Sequence, residues 1–282
     1  MTVRSVDSID SVDSVRADRT ARRPRGLRVL AAASGAVAVV LLAGACGASA
    51  DDDSDPERRA FALEGKTLTV DSDDSALEFV TGESGSSEVK VTRWFEGASA
   101  LGGDTKVTWA VDGDRLTLRM KCSGVFVDCS AKHRIEVPRG VALKVVNGDG
   151  RVSASGMLEP LSIRTKDGSV TVKDSTGPLR LDSGDGAVNA TGVRSERVRA
   201  TSKDGAVRLE LASVPDRVEA RSADGAVTIE VPKKRGGRDV SYDVATRTAD
   251  GAVDVSVPRD SGSPHLVSAR SEDGKVTVRS AN

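Results

Sequence analysis

The feature that most constrains this chain is a repeat. Between Leu143 and Arg279 one short pattern recurs seven times: a small polar residue, any residue, Asp, Gly, any residue, Val. The copies are Asp149-Gly150, Asp167-Gly168, Asp185-Gly186, Asp204-Gly205, Asp224-Gly225, Asp250-Gly251 and Asp273-Gly274. Six residues before the Asp stand Leu143, Leu161, Leu179, Val198, Val218, Val244 and Val267. Three after it stand Val152, Val170, Val188, Val207, Val227, Val253 and Val276. Apolar residues also recur four before and five after, and the positions between are mostly polar or charged. That is period-2 alternation on both sides of a turn, so each copy reads as two short half-buried strands. Asp-Gly suits the turn: Gly takes positive φ without a Cβ clash, and Asp bonds its own local backbone.

An Asp-Gly turn between alternating strands is also a hairpin signal. The spacing argues otherwise. Successive turn glycines are 18, 18, 19, 20, 26 and 23 residues apart. A period near 20 with a constant internal pattern is the mark of a solenoid, in which each copy is one rung stacked at about 4.8 Å on the next. The chain therefore reads as all-β: a β-solenoid of about seven rungs over 141–282. An antiparallel β-sandwich of hairpins is the alternative. The inward residues are Val, Ala, Leu and Ile, which suit a narrow two-walled interior better than Phe or Trp would. The two longer spacings place extra residues at Pro232–Ser241 and Pro258–Pro264, read as loops projecting from one side.

Ahead of the repeats, alternating stretches begin at Lys66. Asp112-Gly113 sits in a hairpin pattern. Because its apolar residues miss the repeat register, 66–140 reads as a separate β cap that covers the open end of the solenoid. Both Trp and three of the four Phe (Phe79, Phe95, Phe126) fall in it.

The N-terminus reads as an export signal. Arg16 to Arg28 is basic, Val29–Ala45 is apolar or small throughout, and Ala43-Gly44-Ala45 precedes Cys46. Leu41-Leu42-Ala43-Gly44-Ala45-Cys46 resembles the bacterial lipoprotein cleavage box, which implies acylation of Cys46. Plain secretion after Ala43-Gly44-Ala45, and an uncleaved single-span anchor, are the alternatives. All three place the remainder outside the cytoplasm, with the membrane as a partner through a lipid or signal anchor. Gly47–Arg59 then reads as a polar tether, within a 47–65 linker.

Composition bounds the function. The chain carries a net charge of −1, and residues 1–46 hold seven Arg and four Asp, so the remainder is near −4. That is no basic footprint for nucleic acid. Aromatics are only 2% of the chain, so stacking platforms for sugars or bases are few. There are two His, His133 and His265, with no Gly-x-Ser-x-Gly elbow and no His-Glu-x-x-His. No catalytic set, metal site or cofactor is expected, and His265 reads as loop filler. Cys122 and Cys129 are spaced for a disulfide in an exported protein. One outward column is basic in part: three residues before the Asp come Val146, Arg164, Asp182, Thr201, Arg221, Arg247 and Arg270, four of them Arg. In a stack these make a stripe that could meet an anionic envelope polymer or a protein.

The Asp-Gly-x-Val units of Thr165–Val172, Ser202–Leu209 and Ser222–Ile229 resemble those of the putative-adhesin family of bacterial envelope proteins. So do the Cys122–Ala131 segment and Ile135–Val141. The resemblance spans roughly 66–282. It implies a β-solenoid domain, often on a lipoprotein, with no catalytic motif to carry over. The expectation is a non-catalytic envelope protein for surface display, adhesion or scaffolding. A β-helix enzyme acting on polysaccharide and an accessory or sensor subunit of an envelope complex are the alternatives.

Overall fold

In the computed structural model the described residues are 49–281. The export segment, Val29–Ala45 and Cys46 lie outside them. The described chain is β-structure apart from one 3-10 turn at Ala50–Asp52. Among the described residues no helix is long and apolar enough to cross a membrane.

The strands ahead of the repeats are β1 (Glu57–Ala62), β2 (Thr67–Ser72), β3 (Ala76–Thr81), β4 (Glu88–Leu101), β5 (Thr105–Asp112), β6 (Arg115–Cys122) and β7 (Val125–Val137). Each repeat then contributes two strands. They are β8 (Ala142–Asn147) and β9 (Val152–Ser155), β10 (Leu161–Thr165) and β11 (Val170–Lys173), β12 (Leu179–Asp182) and β13 (Val188–Val193), and β14 (Arg197–Thr201) and β15 (Val207–Leu211). Next comes β16 (Arg217–Arg221) with β17 (Val227–Val231). A short hairpin, β18 (Lys234–Arg235) and β19 (Arg238–Asp239), precedes β20 (Asp243–Arg247) with β21 (Val253–Ser256), and β22 (Leu266–Arg270) with β23 (Val276–Ser280) closes the chain.

The first strand of every repeat joins a ten-stranded wall and the second an eleven-stranded wall. Equivalent residues pair in parallel from repeat to repeat: Leu161 lies opposite Leu143 and Leu179, and Val170 opposite Val152 and Val188. Two strands of one repeat thus belong to different walls, which rules out the sandwich of hairpins. Between the walls the alternating Leu, Ile, Val and Ala side chains are buried as one continuous core. At about 25 cal/mol per Å² of apolar surface removed from water, this burial drives the stacking, since a single rung covers neither of its inner faces.

Stack order departs from chain order at both ends. The ten-stranded wall runs β20-β22-β16-β14-β12-β10-β8-β2-β6-β5. The last repeat, β22 and β23, is inserted between β16/β17 and β20/β21. The physical reason lies in the two long spacings. After β17 the chain needs extra length to step past one rung position, and again to come back and fill it. Those excursions are pinned where they meet. Tyr242 is fully buried, its hydroxyl donates to the Pro232 carbonyl at 2.6 Å, and its N–H donates to the Pro258 carbonyl at 2.9 Å.

A mirror-image insertion occurs at the start. β2 and β3 pair in parallel with β8 and β9 on one side and with β6 and β7 on the other. The structure thus moves the boundary expected at 140: β2 and β3 are a rung of the solenoid, turning at Asp73-Asp74 where the repeats turn at Asp-Gly. Phe79 is one of its inward residues and is fully buried, so an aromatic does fit between the walls. What covers the end is β1, β4 and β5, all antiparallel, with β5 and β6 forming the hairpin expected at Asp112-Gly113.

Candidate functional site

The Asp-Gly corner is built differently from its expectation. None of its seven glycines has positive φ. Each is needed for close approach instead. A Cβ on Gly186 would lie 2.2 Å from the Gly168 carbonyl oxygen, one on Gly205 2.4 Å from that of Gly186, and one on Gly274 2.2 Å from that of Gly225. Rungs touch backbone to backbone here, and only hydrogen fits. Nor is the Asp the turn's acceptor. The N–H of Gly205 donates to Ser202 Oγ at 2.9 Å, that of Gly225 to Ser222 Oγ at 3.0 Å, and that of Gly274 to Ser271 Oγ at 2.9 Å. The same hydroxyls reach the neighbouring rung: Ser202 donates to the Gly186 carbonyl and Ser222 to that of Gly205, both at 2.9 Å. From Ser183 onward the recurring small polar residue is therefore a hydroxyl ladder that ties each turn to a neighbouring one, whereas Asn147 and Thr165 donate to carbonyls of their own turns, those of Gly150 and Gly168.

The Asp side chains form an outer column with different chemistry. Asp185, exposed at the corner, has its carboxyl pushed above its ordinary value by some loss of hydration against the stacked turns and by the charges of the neighbouring Asp204 and Asp167. Asp167 is held below it, chiefly by its hydrogen bond with Lys166, 3.0 Å away. Like charges one rung apart repel, and a lysine here and there relieves them. Among the described residues no group of three or more His, Cys, Asp or Glu side chains could hold a metal ion.

Cys122 and Cys129 are joined as a disulfide with their Cα atoms 6.5 Å apart. It links β6 in one wall to β7 in the other, clasping the capped end. Nearby, His133 is buried with neither ring nitrogen partnered, beside Arg93. Burial, then the Arg93 charge, pushes its pKa down to about 3, so it is neutral at ordinary pH. Arg93 itself is buried, donates to the Val107 carbonyl at 3.1 Å and to Glu57, and lies 4.2 Å from the Trp109 ring centroid. These groups serve packing. His265 is half-buried, not loop filler: its Nδ1 lies 2.8 Å from the Pro215 carbonyl and its ring lies against Tyr242.

The four column arginines separate into one and three. Arg164 faces Asp182 at 3.9 Å, and Asp182 also takes Arg180 at 3.0 Å. Arg221, Arg270 and Arg247 occupy the same register position on three adjacent strands, with Arg270 in the middle because of the inserted repeat. The Nε of Arg221 is buried without a hydrogen-bond partner.

A second basic surface on the same wall is absent from the sequence reading. Seven residues before the Asp, successive strands present Thr67, Ala142, Pro160, Pro178, Arg197 and Arg217, and one column over come Lys144, Ser162, Arg180, Arg199 and Glu219. Short side chains at the first positions leave a groove of about 450 Å³ along the wall. Its signal was readable as Pro at one repeat position followed by Arg, but only with columns beyond the apolar pattern aligned.

Two parallel walls closed by a glycine-hydroxyl corner define a β-solenoid domain stacked from its own repeats. The Toastrack DUF4097 family model matches residues 58–282, and the chain belongs to that family. One match spans both the capped end and the repeats. Three solved structures are similar in fold. One is a "putative adhesin" from Bacteroides fragilis NCTC 9343, at 17% identity and TM-score 0.44, covering 81% of this chain and 98% of its own. Another is a "putative adhesin" from Parabacteroides merdae ATCC 43184, at 11% identity and TM-score 0.42, covering 80% and 97%. The third is a "putative cell adhesion protein" from Clostridium sporogenes ATCC 15579, at 11% identity and TM-score 0.34, covering 80% and 100%. No curated protein matches the chain.

Proposed function

We propose that this protein is a non-catalytic, adhesin-like scaffold displayed at the cell envelope, tethered through acylated Cys46, with the outer face of its ten-stranded wall as the contact surface. The observation that carries the reading is the column of Arg221, Arg270 and Arg247 on three adjacent strands. Repeated rungs hold like charges at one fixed spacing on a flat, rigid face, which suits an extended anionic partner better than a small molecule. The arginine column and the acidic corner lie at the same end of each strand, so the wall is charge-patterned across its width.

Two measurements test the proposal. Intact mass of the protein recovered from native envelope should begin at Cys46 and carry a diacylglyceryl group. An unprocessed chain, or a secreted one with a free thiol, would remove the tether. Binding of the purified protein to isolated envelope should fall about tenfold or more in the R221A/R247A/R270A variant at low salt, and should fade with added salt in the wild type. Binding that ignores both salt and the three arginines would sink the contact-surface assignment.

A further inference from the structure

The groove on the same wall has its own chemistry. It runs across six strands, from Thr67 on β2 to Arg217 on β16, which is about 24 Å at the usual strand spacing. Its floor is Ala142, Pro160 and Pro178, short or ring-closed residues that make a smooth apolar strip. Around the strip stand five cations, Lys144, Arg180, Arg197, Arg199 and Arg217, and a single carboxylate, Glu219. That carboxylate is already shared. Arg199 meets it at 3.0 Å and Arg217 at 2.6 Å. Arg180 is held by Asp182 at 3.0 Å. Lys144 and Arg197 are exposed and have no carboxylate partner among the described residues. An ordinary solvated strand face interleaves its charges. This one keeps five of one sign around a concave strip and leaves two of them unmet.

We propose that the groove binds a linear phosphodiester-linked polyol chain, laid along the stack with its phosphates on Arg197 and Lys144. Three features select that chemistry. Length and straightness fit a polymer, since the groove crosses rung after rung without a closed pocket. Four of the five cations are Arg, whose planar fork of donors matches phosphate oxygens two at a time. No aromatic ring lines the groove, so a sugar chain would find nothing to stack on, whereas a thin polyol backbone needs only the smooth strip. Arg199 and Arg217 share one carboxylate between them, so either can turn to a second phosphate while the other keeps Glu219.

The inference rests on the surface-scaffold reading only for where such a polymer is met. The experiment uses the full-length protein, solubilised from envelope membranes, and a synthetic glycerol-phosphate oligomer carrying a fluorophore. Fluorescence anisotropy should show saturable binding that weakens steeply with salt, because phosphate contacts release counterions. K144E/R197E should lower the affinity at least about tenfold, through loss and reversal of two exposed charges. R221A/R247A/R270A should leave it within about twofold, because those arginines lie outside the groove. Both cations are exposed, so an unchanged circular dichroism spectrum and denaturation midpoint will show that K144E/R197E still folds. Polygalacturonate, a carboxylate sugar chain, should bind more weakly than the oligomer. Equal or tighter polygalacturonate binding, or oligomer binding indifferent to K144E/R197E, would overturn the proposal. A wild type that binds isolated envelope but not the oligomer would overturn it while leaving the scaffold reading in place. One that binds neither would end both.

Discussion

The Asp-Gly corner and the return corner join the same two walls, yet they are built by different means. At the Asp-Gly corner one solution recurs, complete from Ser202 onward. A glycine lies against the carbonyl below, a hydroxyl bridges two turns, and an Asp points outward. At the return corner the connections differ more from one another. Gly156 with Thr81, Ser175 with its local backbone and Ser195 with the Arg197 carbonyl share no residue pattern, and only the prolines at 160 and 178 recur at one position, with Gly177 lying against the Glu159 carbonyl. The first corner sets how closely rungs approach. The second is left free to vary, and there the wall opens into a basic groove. A repeat protein thus divides its labour within each rung: greater uniformity on the edge of the Asp-Gly corner, more variation on the edge where the groove opens.

The comparison breaks most visibly at glycine. Gly186→Ala puts a methyl 2.2 Å from the Gly168 carbonyl, a backbone atom held by its own wall and unable to yield. We expect a loss of about 3 kcal/mol, at the upper end of overpacking costs, read from the urea midpoint at unchanged slope. Pro178→Ala, on the return side of that same repeat, should lose only about 0.4–1 kcal/mol, the entropic worth of a compatible proline. If the two cost the same, the corners do not differ in the way described.

Smaller in effect, and sharper in what it tests, is the hydroxyl ladder. Ser202→Ala strands the Gly205 N–H and frees the Gly186 carbonyl, both in a buried corner. A cost of about 1–3 kcal/mol follows from the unsatisfied donor alone. Ser202→Thr should recover most of it, because Thr248 plays the same part toward Gly251 at 3.1 Å. Failure of the threonine rescue would point to packing of Ser202 and not to its hydrogen bonds.

These residues also show what was legible in advance. Alternation of Val, Leu, Ile and Ala at fixed distances from the Asp reports burial directly, so the walls and their core could be read from it. The reason for glycine could not be read from the chain. Positive φ and close approach both demand Gly, and only the neighbouring carbonyl distinguishes them. The Asp drew attention because it is conspicuous and a common turn former, while the plain Ser or Thr two places earlier does the bonding. Stack order was out of reach for a similar reason. Long spacings after Val231 and Val257 signalled an interruption, yet insertion of the last repeat is a fact about which edge was left open. The groove escaped because a proline and an arginine in one column share no hydropathy, and only their neighbours across strands make them a surface. Of the column arginines, Arg164 parts from the other three because Asp182 holds the next place in the same column, a neighbour the sequence already shows.

The smallest effect concerns the acidic column itself. Asp185 is raised by some loss of hydration against the stacked turns and by Asp204 and Asp167, so its charged form is disfavoured in the fold. A carboxyl whose folded value lies above its unfolded one adds stability that is fully present below the unfolded value and is lost as pH rises through the folded one. At neutral pH the charge therefore works weakly against the stack. Asp185→Asn should raise the denaturation midpoint slightly at pH 7 and low salt. The gain should shrink in 1 M salt, where exposed charges a few ångströms apart are screened, and vanish below about pH 3.8, where the wild-type carboxyl is protonated too. Lys166→Gln should act in the opposite sense, since Lys166 holds the neighbouring Asp167 down at 3.0 Å. A destabilised Asp185→Asn would mean the carboxylate does accept a bond from its turn, and the Asp-Gly corner would then owe its geometry to the residue that gives it its name.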